Sequence, residues 1–135
     1  MYTLLNGTWV FHHEIQSPVP QSNSGFGTNV RLSGDYIMAP ATSLDYSGYV
    51  KVGQVYIFAR NGTVWDLQTT ILPSVIEHNR YFGSIIDIST DYAVIVDSKL
   101  DTAGPDTGGV IVYKRTGATW AQETIIPNPD PGTGI

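Results

Sequence analysis

The chain has 135 residues, of which 41% are hydrophobic and 14% charged, which is enough for one domain with a sizeable core and too apolar for a disordered segment. Its net charge of -5, with seven scattered Lys and Arg residues, leaves no basic surface that would track phosphates, so nucleic acid is not an expected partner. No apolar run is long enough for membrane insertion, the opening MYTLLNGTW lacks the basic and apolar regions of a secretory leader, and the absence of cysteine excludes disulfides and thiolate metal sites.

Tyr2 to Leu5, Asn6-Gly7 and Thr8-Trp9 read as a strand end, a tight hairpin turn and the start of a second strand, because Asn and Gly tolerate the positive φ of a two-residue loop. His12 and His13 are adjacent on that predicted strand, so their rings are expected on opposite faces, where they share no ligand. From Phe26 the alternation of Phe26, Thr28, Val30 and Leu32 with Gly27, Asn29, Arg31 and Ser33 predicts a strand, and Ser33-Gly34-Asp35 a turn. Tyr36 to Ala39 is a second strand, followed by the long loop ATSLDYSGYVKVGQ. A third strand over 55–60 is apolar on both faces, as in a sheet covered on both sides. Asn61-Gly62 turns the chain into a fourth strand near Trp65.

The series then recurs. Phe82-Gly83, Ser84, Ile86 and Ile88, the Ser89-Thr90-Asp91 turn, strands over 92–96 and 110–115, Thr116-Gly117 and Trp120 follow in the same order. Trp9, Trp65 and Trp120 are separated by 56 and 55 residues, and Asp35-Tyr36 returns as Asp91-Tyr92, Arg60 as Arg115. Such a period means that one supersecondary unit stacks on copies of itself. The predicted organisation is a partial unit at 1–16, full units at 17–72 and 73–127, and a Pro/Gly-rich tail or linker at 128–135. No segment carries a capped 3.6-residue period, so the fold class is all-β, and four antiparallel strands per unit of about 55 residues are the mark of a β-propeller blade. The three tryptophans, at one position of the unit, are expected to pack between blades. Two and a half blades form an incomplete ring, so other copies of the chain or other segments of a larger protein are the expected partners.

Phe26-Gly27 followed by Ala39-Pro40 resembles the FG-GAP repeat of integrin-α-like β-propellers, here with degenerate repeats. The resemblance covers about residues 6 to 126. Phe-Gly is kept, whereas GAP is replaced by Met38-Ala39-Pro40 and by Val94-Ile95-Val96. What it implies is a blade of four strands about a central axis, in extracellular or cell-surface proteins of adhesion, carbohydrate binding or the cell envelope.

Repeats of this kind often wrap calcium in a loop of alternating carboxylates, and Asp97, Asp101 and Asp106 in VDSKLDTAGPDTGG are the nearest approach, although a solvated acidic loop accounts for the same residues. The first unit's loop offers only Asp45, with Tyr46 and Tyr49, aromatics that have no counterpart in the second unit and could stack on a sugar ring. Asn6-Gly7-Thr8 and Asn61-Gly62-Thr63 are glycosylation sequons that also suit hairpin turns. For catalysis, only Glu77-His78 forms a non-repeated pair of acid and base. The function expected is therefore a non-enzymatic structural or adhesive module; a carbohydrate-binding, lectin-like module is the alternative, and a hydrolase the third.

Overall fold

The computed structural model describes residues 1–130 and 132, which form ten strands and no helix. Of the predicted tail at 128–135, residues 131 and 133–135 lie outside the described residues. A hairpin of β1 (Tyr2–Leu5) and β2 (Thr8–Phe11) precedes two antiparallel four-stranded sheets. The first sheet is β3 (Arg31–Ser33), β4 (Tyr36–Ala41), β5 (Gln54–Asn61) and β6 (Val64–Ile71), in that order. The second is β7 (Ile85–Ile88), β8 (Tyr92–Asp97), β9 (Gly109–Thr116) and β10 (Thr119–Pro127), also in sequential order.

Cross-strand pairing explains the uneven repeat length. Leu4 pairs with Trp9, Arg60 with Trp65 and Arg115 with Trp120, so the tryptophans are true equivalents. The Asn-Gly pairs are not. Asn6 and Gly7 both have positive φ and form the whole first loop, as in a type I′ turn, whereas Gly62 alone does so in the second, where Asn61 is already paired with Val64. The change of offset from 56 to 55 falls in the loop between the second and third strands of each sheet, because Ala41 pairs with Gln54 and Asp97 with Gly109. Arg60 and Arg115 recur because each holds the turn between the first two strands, through Asp35 (Nη2 to Oδ1 2.6 Å) and Asp91 (3.1 Å).

One face of the first sheet, its front, carries Met38, Val55, Ile57 and Ile71; these pack on Ile86, Ile88, Ala93, Ile95, Ile111, Tyr113 and Trp120 of the back of the second sheet. This is the main core. The back of the first sheet carries Ile37, Ala39, Tyr56 and Phe58, which form a second cluster under Met1, Ile15, Phe26 and Trp65. Gly83, at φ +94, is required by the main interface, because a Cβ there would lie 2.7 Å from Val55 Cγ2 and 2.8 Å from Pro40 Cβ.

Three expectations are corrected. The strand predicted from Phe26 shrinks to Arg31–Ser33, since positive φ at Gly25 and Gly27 breaks the extended run and Phe26 keeps only an isolated bridge to Ala41. The tryptophans do not share one environment: Trp120 is 7% exposed, Trp65 is half-buried and Trp9 is 67% exposed. His12 and His13 follow the end of β2 rather than lying within it, and their Nδ1 atoms meet at 2.8 Å instead of facing apart.

Candidate interaction surfaces

The loop carrying Asp45, Tyr46 and Tyr49 is used to tie the two sheets together. Tyr46 and Tyr49 exchange backbone hydrogen bonds of 2.9 and 3.0 Å across a tight turn with positive φ at Ser47 and Gly48. Asp45 Oδ1 accepts the Lys51 N–H at 2.9 Å, so its carboxylate shapes its own loop. The following residues run beside the connection to the second sheet: Asn79 donates to Val50 O, Tyr81 to Lys51 O and Phe82 to Val52 O. His78 Nδ1 accepts the Val50 N–H at 3.1 Å, and the Tyr49 ring lies against His78 with centroids 4.9 Å apart. Tyr46 and Tyr49 remain 38% and 40% exposed, at the rim of this strap.

The acidic residues of the second loop take separate roles. Asp97 is buried, and its Oδ2 accepts two hydrogen bonds from Arg80, from Nε at 3.1 Å and Nη2 at 2.8 Å. Arg80, itself buried, also donates to Glu77 Oε1 at 2.9 Å. The charge of Asp97 also acts on the neighbouring core: burial first, and then this carboxylate, push the Tyr113 phenol up to about 12. Asp101 Oδ1 accepts the Asp106 N–H at 2.8 Å, and both residues line a cleft of about 380 Å³ with Glu77, Arg80 and Lys99. Among the described residues no three carboxylates or imidazoles gather where a metal could be held, so Asp97, Asp101 and Asp106 are not brought together as a calcium cage. Asn6 and Asn61 stand exposed at hairpin turns, Asn61 Nδ2 donating to Asp66 Oδ2 at 3.1 Å.

The most exposed apolar surfaces lie on the hairpin, whose strand residues are all exposed, and on the front of the second sheet. On the hairpin, Tyr2, Leu4, Trp9 and Phe11 are on one face by pairing and are 61%, 52%, 67% and 58% exposed. The front of the second sheet presents a row of Ile85, Val96, Val110 and Ile126, paired in turn across all four strands. The back of the first sheet is also partly open. Val30 and Leu32 are 47% and 64% exposed, whereas their counterparts Ile86 and Ile88 are buried against the first sheet. A Cβ on Gly27 would meet nothing within 4 Å, unlike one on Gly83. Sequence reading placed these residues on strands but could not tell a covered copy from an uncovered one, because identical patterns serve both. The available signal was the partial unit itself, a two-stranded hairpin that carries Tyr2, Trp9 and Phe11 on one face.

Between the hairpin and the first sheet, Tyr2, Leu4, Leu5, Val10, Arg60 and Trp65 border a cleft of about 570 Å³, and Met1, Ile15, Phe26, Val30 and Leu32 line an apolar groove of about 320 Å³ beside it. Compared with protein-family models and with curated proteins, the chain matches none of them.

Proposed function

We propose that the chain is a non-enzymatic, β-propeller-type structural or adhesive module of FG-GAP-like character, which works through protein–protein contacts made by the open faces of its stack. The observation that carries this reading is the pair of apolar end surfaces, above all the hairpin face on which Tyr2, Leu4, Trp9 and Phe11 are each more than half exposed. Contiguous apolar area of this kind, on a chain whose second sheet buries the Tyr2 and Trp9 positions as Tyr113 and Trp120, favours association over solvation. The sheet-on-sheet stacking with a repeated register supports blades, and the resemblance carries the placement outside the cell or at its surface.

The residues nearest to an acid-base pair support a binding role as well. Glu77 holds Arg80, and His78 Nδ1 is taken by a backbone N–H, so both are spent on structure. The test combines solution mass with binding of a hydrophobic dye over a range of concentrations. Dye binding that falls as mass rises is the expected result; a chain that binds no dye and no partner at any concentration would overturn the reading. The lectin-like alternative predicts saturable binding on a glycan array that is lost in Tyr49→Ala.

A further inference from the structure

The contact between the two sheets has a sense: the front of one sheet meets the back of the next. Trp120, on the back of the second sheet, lies edge-on to Tyr36 of the first, with ring centroids 5.4 Å apart at 83°. Its Nε1–H donates to Gln68 Oε1 at 2.7 Å. Gln68 is the bulged residue of β6, skipped where Ile57 pairs with Thr69 and Phe58 with Leu67. The Arg115 guanidinium completes the contact over the Tyr36 ring at 5.2 Å.

Every partner in that contact has an unused counterpart at the ends of the chain. Trp9 stands at the Trp120 position and Leu4 at the Arg115 position, both on the exposed back of the hairpin. On the exposed front of the second sheet, Tyr92 stands at the Tyr36 position and is 42% exposed. Glu123 stands at the Gln68 position, as the bulged residue of β10 between the pairs Tyr113–Gln122 and Val112–Thr124, and is also exposed. The hairpin and the front of the second sheet therefore carry register equivalents of the two sides of the interface between the sheets.

We propose that a second copy of this chain docks head to tail, the hairpin back of one copy on the second-sheet front of the other. Trp9 sits against Tyr92 of the second copy, its Nε1–H donates to the Glu123 carboxylate of that copy, and Leu4 covers the tyrosine ring. Replacing the amide acceptor by a carboxylate makes this hydrogen bond charge-assisted. The apolar row of Ile85, Val96, Val110 and Ile126 borders the same docking face. Because the two patches differ, the interface is heterologous, and it propagates to a ring or a filament instead of stopping at two copies. The proposal rests on the contact-module reading above and adds the partner and the geometry.

Sedimentation of the full chain over a range of concentrations tests it, with Trp9→Ala, Glu123→Lys and Glu123→Gln as variants. The unmodified chain should form species larger than a dimer. Trp9→Ala and Glu123→Lys should each lose association by at least tenfold in concentration, whereas Glu123→Gln, which restores the side chain found at Gln68, should keep most of it. Mixing Trp9→Ala with Glu123→Lys should give a one-to-one dimer and nothing larger, since each variant retains the patch that the other lacks. Association indifferent to both variants, or variants that fail to complement while their unfolding transitions are unchanged, would overturn the head-to-tail contact. A monomer that still binds hydrophobic dye overturns only this docking; a monomer that binds none overturns the contact-module reading as well.

Discussion

Trp120→Ala is the perturbation that most directly tests the packing of the two sheets. With 7% of its surface exposed, the side chain hides about 200 Å², which at about 25 cal/mol per Å² corresponds to about 5 kcal/mol as an upper bound. The edge-on contact with Tyr36 adds about 1 kcal/mol. Ala retains part of the apolar surface and the neighbours relax into the space, so the expected loss is about 3–5 kcal/mol. Gln68 can turn to water once its donor is gone, so it adds little to the cost. The assay is guanidinium unfolding at a concentration low enough to keep the chain monomeric, read as a lowered midpoint at constant slope. Trp9→Ala in the same series should change stability by less than about 0.5 kcal/mol, because the ring is exposed in the isolated chain. A Trp120→Ala midpoint within about 1 kcal/mol of the unmodified chain would refute the interface as described.

Two further outcomes follow from the buried polar groups. Arg80→Met strands the Asp97 carboxylate without its partner and should cost about 3–5 kcal/mol in the same unfolding assay, while adding Asp97→Leu should return much of that loss; equal losses in the single and double variants would contradict the pairing. For Tyr113, the folded pKa of about 12 lies above the ordinary value near 10, so the folded chain keeps a proton that the unfolded chain releases. Stability from this group is complete below about pH 10 and is lost as pH rises toward about 12. Tyr113→Phe should flatten that alkaline decline in part, with Tyr56, also raised by burial, keeping the remainder; an unchanged slope would show that Tyr113 is not titrating with unfolding.

Strands with β-type alternation and a closed hairpin were legible in the sequence because their signals are local. The segments read as 55–60 and 110–115 became β5 and β9, and each Trp is the second residue of its outer strand. Phe26 to Val30 misled because an alternating pattern says nothing of the glycine backbone angles that break it. Burial was the least legible property. Trp9, Trp65 and Trp120 have equivalent places in pairing, and only the presence or absence of a neighbouring sheet separates them. The role of Arg80 was hidden for a related reason: its partner Asp97 is 17 residues away, and nothing local distinguishes it from a solvated base. Of the candidate site residues, Asp45 and Asp97 turned out to hold backbone and guanidinium groups of their own chain, a use that residue type alone does not disclose.

The connection between the sheets cannot behave as a free hinge. Val50 to Val52 lie beside Asn79 to Phe82, and Gly53 leaves no room between them, since a Cβ there would stand 2.5 Å from the Phe82 carbonyl oxygen. To swing one sheet away, the chain must break the backbone bonds that Asn79, Tyr81 and Phe82 donate to the long loop of the first sheet. The amide protons of Asn79, Tyr81 and Phe82 are therefore protected from exchange for as long as the strap stays closed. A stack held this way transmits load from one sheet to the next through the backbone as well as through side-chain packing, so a pull on either end is resisted by both sheets together.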